Sequence, residues 1–277
     1  MHGCFEEKNN DSSKSFLPID EHVEEGRDCE GRRVRHKGIY LLPNLFTTAN
    51  LFAGFYSIIC AVNGDFNIAA ATIYVAMLLD GLDGRVARMT NTQSAFGSEY
   101  DSLSDMVAFG VAPAILAYQW MLIELGNVGL TISFIYVACA ALRLARFNTQ
   151  INVVDKGWFV GLASPAAAGV IAGIVWSIHT NASNDSAAEV ELSFAMTLLF
   201  AVLVALSGLL MVSNIKYNSF KNLDLKGRVP FVAILVMALA FAVVLSDPPT
   251  ILLLIFLVYA ISGIVQYVWG FRDKQQA

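Results

Sequence analysis

Long apolar stretches separated by short polar breaks dominate the chain after about residue 40. A membrane-spanning helix needs roughly 20 mainly apolar residues, and eight windows of this kind are present. The predicted spans are 45–63, 66–88, 101–125, 128–144, 160–179, 192–213, 230–245 and 249–270. The pattern therefore predicts an all-α integral membrane protein with about eight spans.

The lysines and arginines are distributed asymmetrically around these spans. All 18 lie in the N-terminal segment, beside the connections that follow the second, fourth and sixth spans, or in the C-terminal tail. None lies in the four intervening connections. Because cytoplasmic loops are enriched in Lys and Arg, this distribution predicts that both termini face the cytoplasm.

Composition agrees with a membrane protein, since 56% of the residues are hydrophobic and only 15% are charged. Typical soluble domains have about 45–50% apolar and about 25% charged residues. The net charge is -5, with much of the acid in a polar N-terminal segment, residues 1–30, and in a few short loops, and nothing indicates nucleic-acid binding. We predict three parts: a cytoplasmic extension at 1–38, a core at 39–213, and a loop with two further spans at 214–277.

A cluster of ionisable residues interrupts the apolar pattern between residues 78 and 110. Asp80 and Asp83 share one helix face at the end of the second span, and Asp101 and Asp105 lie one turn apart on the third. A short connection places these spans side by side, so the four carboxylates can converge. A single aspartate near a helix end is usually solvated or a cap, but four in register favour a binding site.

Four carboxylates in a poorly hydrated site need compensation, because each charged residue in a span costs at least about 2.5 kcal/mol. Oxygen ligands favour Mg²⁺ or Mn²⁺, and two such ions would balance four carboxylates. Arg88 adds donors for phosphate oxygens, and small residues clear space for a polyanionic ligand. Those small residues are Gly84, Ala87 and Gly97. Together they indicate a diphosphate site.

The spacing of these residues resembles the signature of the CDP-alcohol phosphatidyltransferases at every position. The matching residues are Asp80, Asp83, Gly84, Ala87, Arg88, Gly97, Asp101 and Asp105. The resemblance implies the family's six-helix core, here followed by two extra spans, and an enzyme that uses CDP-diacylglycerol and releases CMP. It also implies a homodimer in a bacterial inner membrane, embedded among membrane lipids, with the active site facing the cytoplasm.

The same resemblance implies a role for each residue. Asp80, Asp83 and Asp101 would bind one metal ion. Asp80, Asp101 and Asp105 would bind the second. Asp105 would also be the general base for the acceptor hydroxyl. The residues implied in CDP binding, including two from the run PNLFTTAN at the first span, are Gly84, Ala87, Arg88, Ser94, Gly97, Asn44 and Thr47.

Two further segments bear on the acceptor alcohol. ALRLARFN at 141–148 and GLASPAAAG at 161–169 resemble segments of membrane phosphatidylserine synthases, with Ala163 where that pattern has proline. They imply L-serine as the acceptor, with Arg143 or Arg146 binding its carboxylate and Ser164 contributing a hydroxyl. Either arginine could instead be an ordinary cytoplasmic anchor, and the serine followed by proline could simply begin a helix.

Two other functions are compatible with these features. With the same donor, the acceptor could be glycerol 3-phosphate or an inositol phosphate. A divalent-cation transporter would also use intramembrane aspartates, but it needs a polar path to the far side. The run NIAAATIYVAMLL before Asp80 offers no such path, so the transferase hypothesis is favoured.

Overall fold

The computed structural model describes residues 41–89, 95–150, 158–184, 194–218, 239 and 242–275. The helices are α1 Leu41–Asn63, α2 Phe66–Met89, α3 Ala95–Asp105, a π-helix Met106–Val111, α4 Ala112–Trp120, a 3₁₀-helix Leu122–Leu125, α5 Asn127–Gln150, α6 Ser164–Asn184, α7 Phe194–Val212 and α8 Pro248–Gln275. Two short strands, β1 Trp158–Val160 and β2 Lys216–Asn218, complete the described part. The predicted all-α class is confirmed, apart from this ribbon.

Several described helices have the length and composition of membrane spans. Within the described residues, five helices are long and apolar enough to cross a membrane. They are Asn44–Asn63, Phe66–Ala87, Asn127–Thr149, Phe194–Val212 and Pro248–Gln266. The total of eight stays a prediction, because the seventh predicted span, 230–245, lies mostly outside the described residues. The predicted extension at 1–38 lies entirely outside them.

The predicted third span is a helical rod with a π-helix in its middle, and the rod ends at Trp120 rather than at residue 125, because Met121 has non-helical dihedral angles. The rod begins at Ala95, earlier than predicted, and in the π-helix the N–H of Ala112 bonds to the carbonyl of Val107, five residues back. The buried hydroxyl of Tyr136 on α5 donates to the Phe109 carbonyl at 3.1 Å. Single-turn π-helices often occur at functional sites, and this one directly follows Asp105.

A short ribbon fixes the start of α6. Strands β1 and β2 pair antiparallel, with Phe159 opposite Tyr217. Just after β1, Gly161 has φ of 85° and donates to the Ile215 carbonyl at 2.8 Å. The predicted fifth span began at residue 160, which is too early, because that residue belongs to the strand. Hydropathy alone cannot separate an apolar strand from the apolar helix that follows it.

Small residues allow the helices to approach closely, as is common in membrane bundles. A Cβ built on Gly54 of α1 would lie 2.7 Å from the Cα of Ala108 in the π-helix. On the next turn of α1, Ser57 donates to the Ala69 carbonyl of α2 at 2.7 Å. Helix α1 is therefore held against α2, which carries Asp80 and Asp83, and against the π-helix that directly follows Asp105.

Helix α8 packs antiparallel along α6. The contacting pairs, in order along α6, are Gly169 with Phe256, Gly173 with Leu253, and Ser177 with Thr250. Tyr74 of α2 donates to the Gly169 carbonyl at 2.7 Å, and its ring lies beside that of Phe256. Helices α2, α6 and α8 therefore share one interface.

Gly54→Ala should lower the stability of the solubilised protein, because the added methyl meets backbone of the π-helix. Overpacking of this kind typically costs about 1–3 kcal/mol. Gly81→Ala is the matched control, since nothing lies within 4 Å of a Cβ there and alanine favours a helix by about 0.5–1 kcal/mol. Heating each variant and following its monodisperse size-exclusion peak checks this; equal midpoints for both would contradict it.

Candidate active site

Three carboxylates meet at one end of the helix bundle, where α2 ends and α3 begins. One oxygen each of Asp80, Asp101 and Asp105 lies within 4.8 Å of the others, and all three residues are half-buried. We call these three residues the carboxylate cluster. Oxygens at this separation could hold a metal ion, and hard divalent cations prefer such ligands.

Asp83 lies beside the cluster but has a different immediate partner. Its side chain is only 5% exposed, and Oδ2 accepts a hydrogen bond of 3.0 Å from the hydroxyl of Thr47 on α1. It still interacts electrostatically with Asp80 and Asp101. The structure therefore brings the four predicted aspartates together and gives Asp83 a neutral donor.

Asn50 of α1 is a member of the site that the sequence analysis missed. Its side chain is 0% exposed, and Nδ2 donates to Oδ1 of Asp105 at 3.2 Å. Asn50 lies three residues after Thr47 and so shares its helix face. That spacing was the available signal, because both residues belong to the run PNLFTTAN.

Some buried polar atoms here have no hydrogen-bond partner among the described residues: Oδ1 of Asp101, Oδ1 of Asn50 and Nε of Arg143. Buried polar atoms in proteins are almost always paired. A cation would satisfy the Asp101 oxygen directly, since a carboxylate oxygen is a suitable ligand. The chemistry of the carboxylate cluster thus fits a bound divalent ion.

Polar contacts fix α3 in place on both sides. Ser104 donates to the Thr47 carbonyl of α1 at 3.0 Å, and on α5 the amide of Asn148 donates to the hydroxyl of Ser102 at 3.0 Å. The hydroxyls of Thr48 and Tyr100 lie 3.0 Å apart. These contacts hold the backbone that carries Asp101 and Asp105.

The two predicted acceptor-binding arginines have different partners. Arg143 on α5 donates through Nη1 to the hydroxyl of Ser164 at 2.6 Å and interacts electrostatically with Asp105. Arg146 instead donates to the Val212 carbonyl at 3.4 Å and to Oδ1 of Asn214 at 2.8 Å. The structure therefore joins Arg143 and Ser164 near the cluster, whereas Arg146 ties α5 to the end of α7.

The residues predicted to bind CDP are distributed around the end of α2 and the start of α1. Gly84 is exposed, while Ala87, Gly97 and Asn44 are half-buried. The Asn44 carbonyl accepts a hydrogen bond from Thr48 at 2.7 Å. Two further predicted members, Ser94 and the side chain of Arg88, lie outside the described residues. The roles of this group stay predictions.

Comparison with known proteins identifies the class. The family model of the CDP-alcohol phosphatidyltransferases matches residues 40–207. The chain is 37% identical to the CDP-diacylglycerol–serine O-phosphatidyltransferase of Helicobacter pylori over 232 residues, covering 83% of this chain and 92% of that protein. For the enzyme of the same name from Methanocaldococcus jannaschii, identity is 36% over 232 residues, covering 84% and 96%.

An archaetidylserine synthase of Methanothermobacter thermautotrophicus is 35% identical over 178 residues, covering 64% of this chain and 69% of that protein. The chain belongs to the CDP-alcohol phosphatidyltransferase family, as predicted from the spacing of the aspartates. It is a membrane transferase of phospholipid biosynthesis. Helices α1 to α6 lie within the matched range, and α8 lies beyond it.

Asn50→Leu should reduce turnover by at least about tenfold, because Asp105 would lose a buried hydrogen-bond donor. A hydrogen bond to a charged group contributes roughly 1.5–3 kcal/mol. Thr72→Val is the control, since it removes a hydroxyl that bonds only to nearby carbonyls of its own helix. CMP release by the purified variants checks this. Wild-type turnover in the Asn50 variant would contradict a role for Asn50 in holding Asp105.

Proposed function

We propose that the protein transfers the phosphatidyl group of CDP-diacylglycerol to the hydroxyl group of L-serine, giving phosphatidylserine and CMP. The relatives from H. pylori and M. jannaschii, both named as serine O-phosphatidyltransferases, support this acceptor. The observation that carries the proposal is the pairing of Arg143 with Ser164 beside Asp105. It supplies a cation for a carboxylate next to a base for a hydroxyl.

Two divalent ions, Mg²⁺ or Mn²⁺, are part of the proposal. Asp80, Asp83 and Asp101 would hold one ion, and Asp80, Asp101 and Asp105 the other. Thr47 occupies one oxygen of Asp83, which leaves the second oxygen for an ion. When bound, the ions would neutralise the diphosphate of the donor and stabilise CMP as a leaving group.

The acceptor half of the reaction depends on the chain's own groups. Arg143 binds the serine carboxylate and so directs the serine hydroxyl towards Asp105. Asn50 donates to one oxygen of Asp105, whose remaining lone pair would be left for the second ion, and the other oxygen accepts the hydroxyl proton. The serine oxygen then attacks the lipid-side phosphorus, a new P–O bond forms, and the P–O bond to CMP breaks.

The donor half uses the end of α2. Gly84, Ala87 and Gly97 leave room for the cytidine nucleotide, with polar contacts from Asn44 and Thr47 of α1. Arg88 and Ser94 would add donors for its phosphates. The acyl chains would lie between helices in the bilayer.

The proposal also places the enzyme in its surroundings. The site would face the cytoplasm at a bacterial inner membrane, where soluble serine and the lipid nucleotide meet. The core at 39–213 would carry the chemistry, and the protein would be a homodimer, as family resemblance implies.

The acceptor is tested directly with purified protein, CDP-diacylglycerol and Mn²⁺. We expect CMP release with L-serine and none above background with glycerol 3-phosphate or an inositol phosphate. Arg146 already has partners within the protein, so Arg143 is the cation that this site offers to an acceptor. A phosphate group would need more cationic donors than this single arginine. CMP release with glycerol 3-phosphate but not with serine would overturn the choice of acceptor.

Asp105→Asn and Asp80→Asn should have different effects. Loss of the base at Asp105 should reduce turnover by at least about 100-fold, the usual contribution of general base catalysis, while donor binding largely persists. Asp80→Asn should weaken the binding of Mn²⁺ and CDP-diacylglycerol together. Calorimetric titrations and CMP release measure both effects.

The matched control for these variants is Asp65→Asn, which removes an exposed carboxylate from the connection between α1 and α2. It should behave as wild type in every assay. Near-normal turnover in the Asp105 or Asp80 variant would contradict the assigned roles.

A further inference from the structure

Helix α8 lies beyond the range that matches the family model, yet it extends towards the active site. Its contacts with α6 run in antiparallel order from Thr250 to Phe256. Continuing this order by three residues along each helix, from Phe256 to Tyr259 and from Gly169 to Ala166, we infer that Tyr259 lies level with Ala166, within one turn of Ser164 at the start of α6. Helix α8 therefore reaches the end of the bundle where Arg143 bonds to Ser164.

Tyr259 lies close enough to Arg143 for the two side chains to interact electrostatically. Tyr259 is half-buried, and the adjacent Ala260 is 8% exposed, so this part of α8 is packed against the protein. The position expected from the α6 contacts and the interaction with Arg143 agree. Tyr259 is thus a neighbour of the predicted acceptor site.

The guanidinium of Arg143 requires such neighbours. Only part of its donor set is satisfied among the described residues, because Nη1 bonds to Ser164 while the buried Nε has no partner. A partly buried cation is stabilised by nearby oxygen atoms and aromatic rings. Tyr259 brings both a hydroxyl and a ring into this neighbourhood, and its interaction with Arg143 is electrostatic.

We propose that Tyr259 is a positioning residue for the acceptor: it holds the guanidinium of Arg143 in the orientation that binds the carboxylate of an amino-acid acceptor. The inference rests on the proposed function. Helix α8 then lines the acceptor site, although it lies outside the range that the family model matches.

The test compares Tyr259→Leu and Tyr259→Phe with wild type in full-length protein, with L-serine and CDP-diacylglycerol varied separately. We expect Tyr259→Leu to raise the KM for L-serine by about tenfold, as for loss of one good interaction. The kcat at saturating serine and the KM for CDP-diacylglycerol should change by less than about twofold. Tyr259→Phe keeps the ring and should show a smaller rise.

Phe256→Leu is the control, because it loosens the contact between α8 and α6 without removing Tyr259. It should lower thermal stability and leave the KM for serine unchanged. An equal rise in that KM would overturn the proposal, since loosening of α8 would then suffice. An unchanged KM in Tyr259→Leu, or a fall in kcat at unchanged KM, would also overturn it.

If the leucine variant does not purify as a monodisperse protein, Tyr259→Phe decides: a raised KM for serine supports the proposal and a wild-type value overturns it. The outcome is separable from the proposed function. If wild type releases no CMP with serine, the choice of acceptor fails. If wild type uses serine and the Tyr259 variants match it, only the role of Tyr259 fails.

Discussion

Mutual repulsion among carboxylates at the edge of a membrane bundle is the constraint on which the rest of this site depends. The protein offsets this repulsion with neutral donors, a hydroxyl from Thr47 for Asp83 and an amide from Asn50 for Asp105. Neutral donors stabilise the carboxylates without cancelling their charge. The cluster therefore keeps the negative field that divalent ions require.

The scaffold serves this arrangement through close approach. Gly54 lets α1 lie directly on the π-helix next to Asp105, so the donors of α1 reach the aspartates. The ribbon between β1 and β2 fixes the first turn of α6 and with it Ser164. Each of these devices acts on backbone position, which explains how one end of the bundle can hold oxygens within 4.8 Å of one another.

The two arginines predicted to bind the acceptor differ in their contacts. Arg143 is separated from Arg146 by a single turn, yet the two side chains have different partners. The first contacts the start of α6 near the cluster, and the second holds the chain that follows α7. The contacts of Arg143 therefore lie near the carboxylate cluster, while those of Arg146 connect two parts of the scaffold. The sequence alone does not distinguish the two arginines, since they lie three residues apart and can share one helix face.

The sequence by itself determined the membrane class and the pairing of aspartates on two helix faces, because hydropathy and helical spacing are local properties. Its resemblance to a known signature indicated the family. Only the tertiary structure decided which residues assist the aspartates and the neighbouring arginine. Asn50 is 55 positions from Asp105, and Tyr259 comes from a helix outside the family match. The strand before α6 was likewise hidden in an apolar run. Contacts between distant helices depend on small residues and side-chain direction, and neither is encoded in the period of the apolar pattern.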